Sequence, residues 1–261
     1  MKYGFIGCGN MGSAIAKALS QSTKDILLTD RSGKAAKLAD ALGCAYSDNH
    51  TVANTCDRIF LAVKPQMMAE VLAPLQSIFQ QRKPLIISMA AGLTISRIEE
   101  LTGTSLPVIR IMPNTPVAVG SGMTLYCHNQ LVEAETLNDF LQDVAPCGQW
   151  DLLEESLIDA AGVVSGCGPA YMYMFMDALA DGAAACGVPK EKALAYAAAT
   201  MIGAAKMVQQ SNRTPVELRN AVCSPGGSTL AGVKVLESAN FAQTIADCVD
   251  AAYQRNQELG K

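Results

Sequence analysis

The feature that most constrains this chain is a glycine pattern set between a short apolar run and an amphipathic stretch. Lys2–Ile6 reads as a strand, and Gly7-Cys8-Gly9-Asn10-Met11-Gly12 is G-x-G-x-x-G. Asn10–Ser20 then places Met11, Ala14, Ile15, Ala18 and Leu19 on one helical face. As a bare string the pattern is weak. Between a strand and a helix it has a mechanical reading. Gly7 permits the tight turn, Gly9 lets a pyrophosphate come close to the backbone, and Gly12 lets helix pack on strand. The free N–H groups at the helix start then face an anion. The spacing therefore predicts a dinucleotide site.

The segments after the turn support a parallel sheet. Asp25–Asp30, Arg58–Val63, Pro84–Met89 and Leu106–Met112 are strand-length apolar runs, separated by the helical stretches Lys34–Leu42 and Gln66–Phe79. Near-continuous apolar strands alternating with helices imply a sheet covered on both faces. The texture changes near residue 152. Leu157–Val164, Ala170–Cys186, Lys190–Gln210, Thr229–Glu237 and Asn240–Leu259 all read as helices. The breakers Gly166-Cys167-Gly168-Pro169, Gly187-Val188-Pro189 and Ser224-Pro225-Gly226-Gly227 lie between them. The expected fold class is thus α/β, with a Rossmann-type dinucleotide-binding domain in residues 1–152 and an all-α domain in 153–261. Small-residue faces such as Ala183–Ala185 and Ala197–Ala199 fit either a second subunit or packing within the domain.

The second strand ends in Thr29-Asp30-Arg31-Ser32. An acid about 20 residues after the glycine turn accepts the ribose hydroxyls of NAD, whereas a nearby Arg accommodates the 2′-phosphate of NADP. Asp30 points to NAD; Arg31 and Ser32 point to NADP. Both readings stay open on these residues. Two later strand ends, Ala62-Val63-Lys64-Pro65 and Met89-Ala90-Ala91, belong on the same crevice, because ligands gather at the carboxyl ends of the strands.

In the helical half, Cys223-Ser224-Pro225-Gly226-Gly227-Ser228-Thr229 precedes a helix. Its exposed amides would form an anion nest, and Ser228 and Thr229 add hydroxyls, a fitting receptor for a small carboxylate. Plain N-capping by Ser228 or Thr229 is the competing reading. The two histidines, His50 and His128, lie outside this turn, so no general base of the usual kind is evident. A reaction needing little acid–base help, such as reduction of a protonated imine, suits that scarcity.

Net charge is −4, which gives no reason to expect nucleic acid or an anionic membrane as partner. No window approaches the ~18 continuous apolar residues of a membrane span. Nor does Met1–Ile6 read as a signal peptide. The nine cysteines form no C-x-x-C pair and no zinc-site spacing, so no metal is expected. Scattered thiols imply a reducing, cytoplasmic setting.

Several blocks together carry a family resemblance. They are Gly4–Gly12, Ala62-Val63-Lys64-Pro65, Arg110-Ile111-Met112-Pro113-Asn114-Thr115-Pro116, Gly166-Cys167-Gly168-Pro169-Ala170-Tyr171, and the run Pro215–Glu237 containing Ser224-Pro225-Gly226-Gly227-Ser228-Thr229. In this order, over nearly the whole chain, they resemble the pyrroline-5-carboxylate reductases. The resemblance implies the last step of proline biosynthesis, in which NAD(P)H delivers a hydride to the C=N carbon of 1-pyrroline-5-carboxylate to give L-proline. It implies a homodimer or larger homo-oligomer, built through the helical domain, with its active site at the interface.

By the same resemblance, Ile6, Gly7, Cys8, Gly9, Asn10 and Met11 hold the pyrophosphate, and Asn49 contacts the adenosine side. Ala62–Pro65 and Met89–Ala91 flank the ribose and nicotinamide. Gly227, Ser228 and Thr229 hold the substrate, with Thr229 donating to the ring nitrogen, and Glu155 aligns with a carboxylate near the substrate. NADP is the expected cofactor, with NAD also possible. Cys167 and Ala221 depart from the family pattern, which commonly has Ser and, in some relatives, Asn. A β-hydroxyacid dehydrogenase would instead need a substrate lysine in the second half, for which Lys190, Lys192 and Lys206 are the candidates. A non-catalytic NAD(P) sensor would need no second anion site.

Overall fold

The computed structural model describes residues 2–259; residue 1 and residues 260–261, the outer ends of the two expected segments, lie outside the described residues. The chain divides into two compact units. One runs to Pro169 and also takes in residues from Ala252 onward; the other is Ala170–Ala251.

The first unit begins with β1 (Tyr3–Ile6), α1 (Asn10–Leu19), β2 (Ile26–Thr29), α2 (Lys34–Leu42), β3 (Ala45–Tyr46) and α3 (Asn49–Thr55). It continues through β4 (Arg58–Leu61), α4 (Met68–Leu72), α5 (Gln76–Arg82), β5 (Leu85–Ser88), α6 (Ile95–Thr102) and β6 (Val108–Met112). The strands β7 (Gly122–His128) and β8 (Gly148–Leu152) flank α7 (Ala134–Asp143), and α8 (Glu155–Gly162) comes next. The eight strands among the described residues form one sheet, ordered β3-β2-β1-β4-β5-β6-β7-β8. The β1–β2, β1–β4, β4–β5 and β5–β6 pairs are parallel; β7 runs antiparallel to β6.

The strands β1, β2, β4 and β5 are buried along their whole length, as their apolar runs predict. One face packs Phe5, Phe60 and Phe140, with the Phe5 and Phe60 rings stacked at 4.4 Å. The other packs Ile59, Leu61, Phe79 and Ile98. Chain order reverses between β1 and β4, so the topological switch point, where such sheets bind ligands, lies at their carboxyl ends.

Several expectations change. The stretch Gln66–Phe79 is not one helix: α4 and α5 are separated by a tight 3-10 turn at Ala73–Leu75, where Pro74 cannot continue an α-helix. The strands β3, β7 and β8 were not expected. Compactness also does not change at 152/153. There β8 ends, but α8 stays with the sheet, because Ile158 is fully buried in its core and Arg110 on β6 reaches both Glu155 and Asp159.

The Gly166–Pro169 motif is likewise not a break. Val163–Cys167 forms a π-helical turn that leads straight into α9 (Gly168–Ala185). Pro169 has no N–H to give the Ser165 carbonyl four residues back, and a side-chain amide takes that place. Asn114 supports this turn: its amide donates to the Ser165 carbonyl at 2.9 Å, and its carbonyl accepts the Met123 amide at 2.9 Å.

The second unit is helical, with most of α9, then α10 (Lys190–Gln210), α11 (Pro215–Ala221), α12 (Ser228–Ser238) and the start of α13 (Phe241–Leu259). Gly187 takes a left-handed φ of 94° after α9, as a helix stop requires. Few residues here are buried, and they are small: Ala180, Ala193 and Ala197. Large apolar side chains, among them Met174, Tyr196, Ile202 and Val235, stand exposed. An apolar groove of about 480 Å³ is lined by Tyr171, Phe175, Met201, Phe241 and Ile245 among others.

Candidate active site

In the first unit, the carboxyl ends of β1, β2 and β4 lie in register, with Ile6 beside both Thr29 and Leu61. A cleft of about 930 Å³ opens there. Its walls include Ile6, Gly7, Cys8, Gly9, Arg31, Ser32, Asn49, Ala62, Val63 and Lys64, all of them expected cofactor residues.

The glycines behave as the motif requires. Gly7 has a φ of 103°, and a Cβ there would meet the Ala62 carbonyl oxygen at 2.8 Å. A Cβ at Gly12 would meet the Gly7 oxygen at 2.7 Å, so helix and turn touch through it. At Gly9 a Cβ would meet nothing within 4 Å, so the space above it is open. Gly9 is also the N-cap of α1, and no side chain caps that helix, which leaves its first amides free. An open approach to free amides suits a pyrophosphate. The residues present therefore fit a dinucleotide.

The remaining expected cofactor residues stand outside the cleft wall. Asn10 is exposed at the start of α1, and Met11 is half-buried against the core. Pro65 opens a 3-10 turn between the wall residues Lys64 and Met67. Met89, Ala90 and Ala91 come directly after β5, the strand beside β4, with Ala90 buried. Sequence reasoning missed other wall residues, notably Tyr46, Asp48 and His50. They lie at or just beyond the two-residue strand β3, too short to show a hydrophobic pattern.

The cleft's charges are sorted. Arg31, Lys34 and Lys64 present cations. Asp48 caps α3 by accepting the Thr51 amide at 2.8 Å, and that bond holds its carboxyl below the usual range. The Cys8 thiol is pushed up to about 12, first by burial and then by Asp30, so Cys8 contributes its backbone and no thiolate.

In the second unit, the N-cap of α12 is Gly227, and no side chain caps the helix. Capping by Ser228 or Thr229 is thereby set aside: both are exposed, in the first helical turn, beside free amides. The turn is close-packed at Gly227, where a Cβ would meet Ser224 Oγ at 2.6 Å and the Ser224 carbonyl oxygen at 3.1 Å. Glu155 has a different surrounding. Its Oε1 accepts the Ile95 amide at 2.7 Å and pairs with Arg110 at 3.4 Å, fastening α6 to β6 and α8. Lys190, a candidate for a dehydrogenase lysine, is tied to Asp181 at 2.6 Å and Asp177 at 3.2 Å. Among the described residues no group of three or more His, Cys, Asp or Glu could hold a metal, and no helix is long and apolar enough to cross a membrane.

A glycine turn opening on a cleft at the switch point of a parallel sheet, with a helical half after it, defines a Rossmann-type NAD(P)-dependent oxidoreductase. The family model described as pyrroline-5-carboxylate reductase dimerisation matches residues 155–259, and that for NADP oxidoreductase, coenzyme F420-dependent, matches residues 2–92. The pyrroline-5-carboxylate reductase of Escherichia coli is 37% identical over 266 residues, covering 100% of this chain and 98% of the relative. The crystal structure of Plasmodium falciparum pyrroline carboxylate reductase, with NADP bound, superposes with a TM-score of 0.90 at 32% identity and covers 100% of both chains. The 1-pyrroline-5-carboxylate reductase of Streptococcus pyogenes gives 0.91 at 32% identity, over 99% of this chain and 98% of the other. The chain belongs to the pyrroline-5-carboxylate reductase family, and the dehydrogenase and sensor readings are not favoured.

Proposed function

We propose that the protein reduces 1-pyrroline-5-carboxylate to L-proline with NADPH, accepting NADH as well, as the closing step of proline biosynthesis. The observation that carries this reading is the open glycine cleft in a chain that matches pyrroline-5-carboxylate reductases over its full length. When bound, NADPH supplies the hydride. The Ile6–Met11 turn holds the pyrophosphate through the α1 amides. Asn49 serves the adenosine side, Arg31 and Ser32 the 2′-phosphate, and Ala62–Pro65 with Met89–Ala91 the ribose and nicotinamide.

The substrate carboxylate is held by the free amides and hydroxyls of Gly227, Ser228 and Thr229. The Thr229 hydroxyl serves the ring nitrogen and fixes the orientation of the C=N bond. A protonated imine needs no further proton before it is reduced, in keeping with the lack of a histidine in this turn. Glu155, which also accepts the Ile95 amide at the α6 start, is in this reading the carboxylate near the substrate.

Functionally, residues 1–152 bind the cofactor and residues 153–261 supply the substrate turn and the dimer contacts. The exposed apolar side chains of the helical unit support a homodimer or larger homo-oligomer, since obligate interfaces resemble a divided core. The active site then lies at the interface between subunits. Nine free cysteines support a reducing, cytoplasmic location.

The test is steady-state kinetics of the purified protein with 1-pyrroline-5-carboxylate and each reduced nicotinamide, alongside its sedimentation. Cofactor oxidation matched by proline formation, from a dimer or larger species, is expected. No turnover with either cofactor sinks the proposal.

A further inference from the structure

Asp30 stands directly after β2, where an acid ordinarily accepts the ribose hydroxyls of NAD. Its carboxylate is committed to its own loop. Oδ2 accepts the Ser32 hydroxyl and the Lys34 amide, the latter at 3.1 Å. Oδ1 is sealed from solvent and makes no hydrogen bond. Burial pushes the carboxyl up, but the Ser32 hydroxyl and the amides of Ala35, Lys34 and Gly33 outweigh it and hold the group below the usual carboxylate range. The residue at the N-cap position of α2 is Gly33, in the left-handed region at a φ of 74°, and it has no side chain to offer the first turn. Asp30 serves that turn instead, and the positive end of the helix offsets its charge.

Arg31, Ser32 and Lys34 are left on the rim. All three are exposed and line the cleft. The Arg31 guanidinium meets Glu70 at 3.5 Å with both side chains largely in water, a contact weak enough to yield to a phosphate.

We infer that Asp30 is a positioning residue, which holds the Arg31–Lys34 rim ready for a 2′-phosphate, and not the acceptor of a ribose hydroxyl pair. This rests on reading the cleft as the dinucleotide site. Asp30 lines the cleft, but a ribose acceptor needs a free carboxylate oxygen there: Oδ1 is sealed and Oδ2 is already taken by the Ser32 hydroxyl and the Lys34 amide. The acid that on sequence grounds pointed to NAD thus serves NADP.

The experiment is calorimetric binding of NADP⁺ and NAD⁺ to the full-length protein and to D30A, D30N and R31A, with amide hydrogen exchange at the start of α2. Asn can still accept from the Lys34 amide, so D30N should keep NADP⁺ affinity within about twofold. D30A should weaken NADP⁺ binding roughly tenfold, as R31A does, with faster exchange at Lys34 and Ala35 and NAD⁺ affinity little changed. Loss of NAD⁺ affinity in D30N and D30A, with NADP⁺ binding retained or improved, overturns the inference. Failure of the unaltered protein to bind either dinucleotide overturns the cleft reading itself, and this inference with it.

Discussion

Arg110 on β6 and Asp159 on α8 meet at 2.6 Å, and only 3% of the Arg110 side chain is exposed. This pair, with Glu155 at 3.4 Å, keeps α8 on the sheet although the chain has already turned helical. Removing one partner of a buried pair costs about 3–5 kcal/mol, whereas replacing the ions by apolar volume is close to neutral. Asp159→Asn leaves a buried guanidinium with its weaker partner, so it should cost about 3 kcal/mol in urea unfolding. Arg110→Met should cost less, because Asp159 and Glu155 can turn toward water. Equal losses would mean that packing, not charge, holds α8.

The glycine turn separates binding from folding. Gly9→Ala places a methyl group in open space, so unfolding stability should hold while NADPH affinity falls about tenfold or more. Gly12→Ala drives a methyl against the Gly7 carbonyl and should cost about 1–3 kcal/mol of stability. A Gly9 variant that binds NADPH normally would move the pyrophosphate away from this turn.

At the other end of the sheet, Asp143 accepts Lys2 at 2.6 Å, the Tyr3 hydroxyl at 2.7 Å and Arg58 at 3.1 Å. Burial pushes its carboxyl up, but the bonds from Lys2 and Tyr3 and the nearby cations outweigh that and hold it below the usual carboxylate range. A carboxyl depressed in the folded state contributes stability above its unfolded pKa of about 3.9. That contribution is lost as pH falls through the lower, folded value. Asp143→Asn should therefore be less stable than the parent at pH 7, with the gap narrowing below about pH 4. A gap independent of pH would remove the charge from the explanation.

Thr229 is the residue assigned to the imine. Thr229→Val keeps shape and loses the hydroxyl, and should lower kcat/KM by roughly 10- to 1000-fold, the scale of one lost transition-state hydrogen bond. KM for NADPH should stay near its parent value. Unchanged kinetics would take Thr229 out of the chemistry.

Much of this architecture was legible in the sequence, and the gaps have physical causes. The strands β1, β2, β4 and β5 are buried along their length, so their apolar runs stood out. At the sheet edge, β8 has no buried residue and carries Gln149 and Asp151, so it showed no such run. The two-residue β3 is below the length at which any period shows, and the cleft wall at Tyr46, Asp48 and His50 was missed with it. Gly168-Pro169 looked like a helix break because the sequence does not tell a helix end from a π turn leading into a new first turn. The rival readings of Asp30 could not be separated from its neighbours' identities either. What bears on them is the carboxylate's bonds to the Ser32 hydroxyl and the Lys34 amide, which depend on how the start of α2 folds.

The central claim is hydride delivery to the C=N carbon of the substrate, and isotope transfer tests it most directly. With NADPH deuterated at the transferable position of the nicotinamide, the protein should convert 1-pyrroline-5-carboxylate into L-proline carrying one deuterium on the former imine carbon, as read by NMR. Proline without deuterium at that carbon, or consumption of cofactor without proline, would contradict the account.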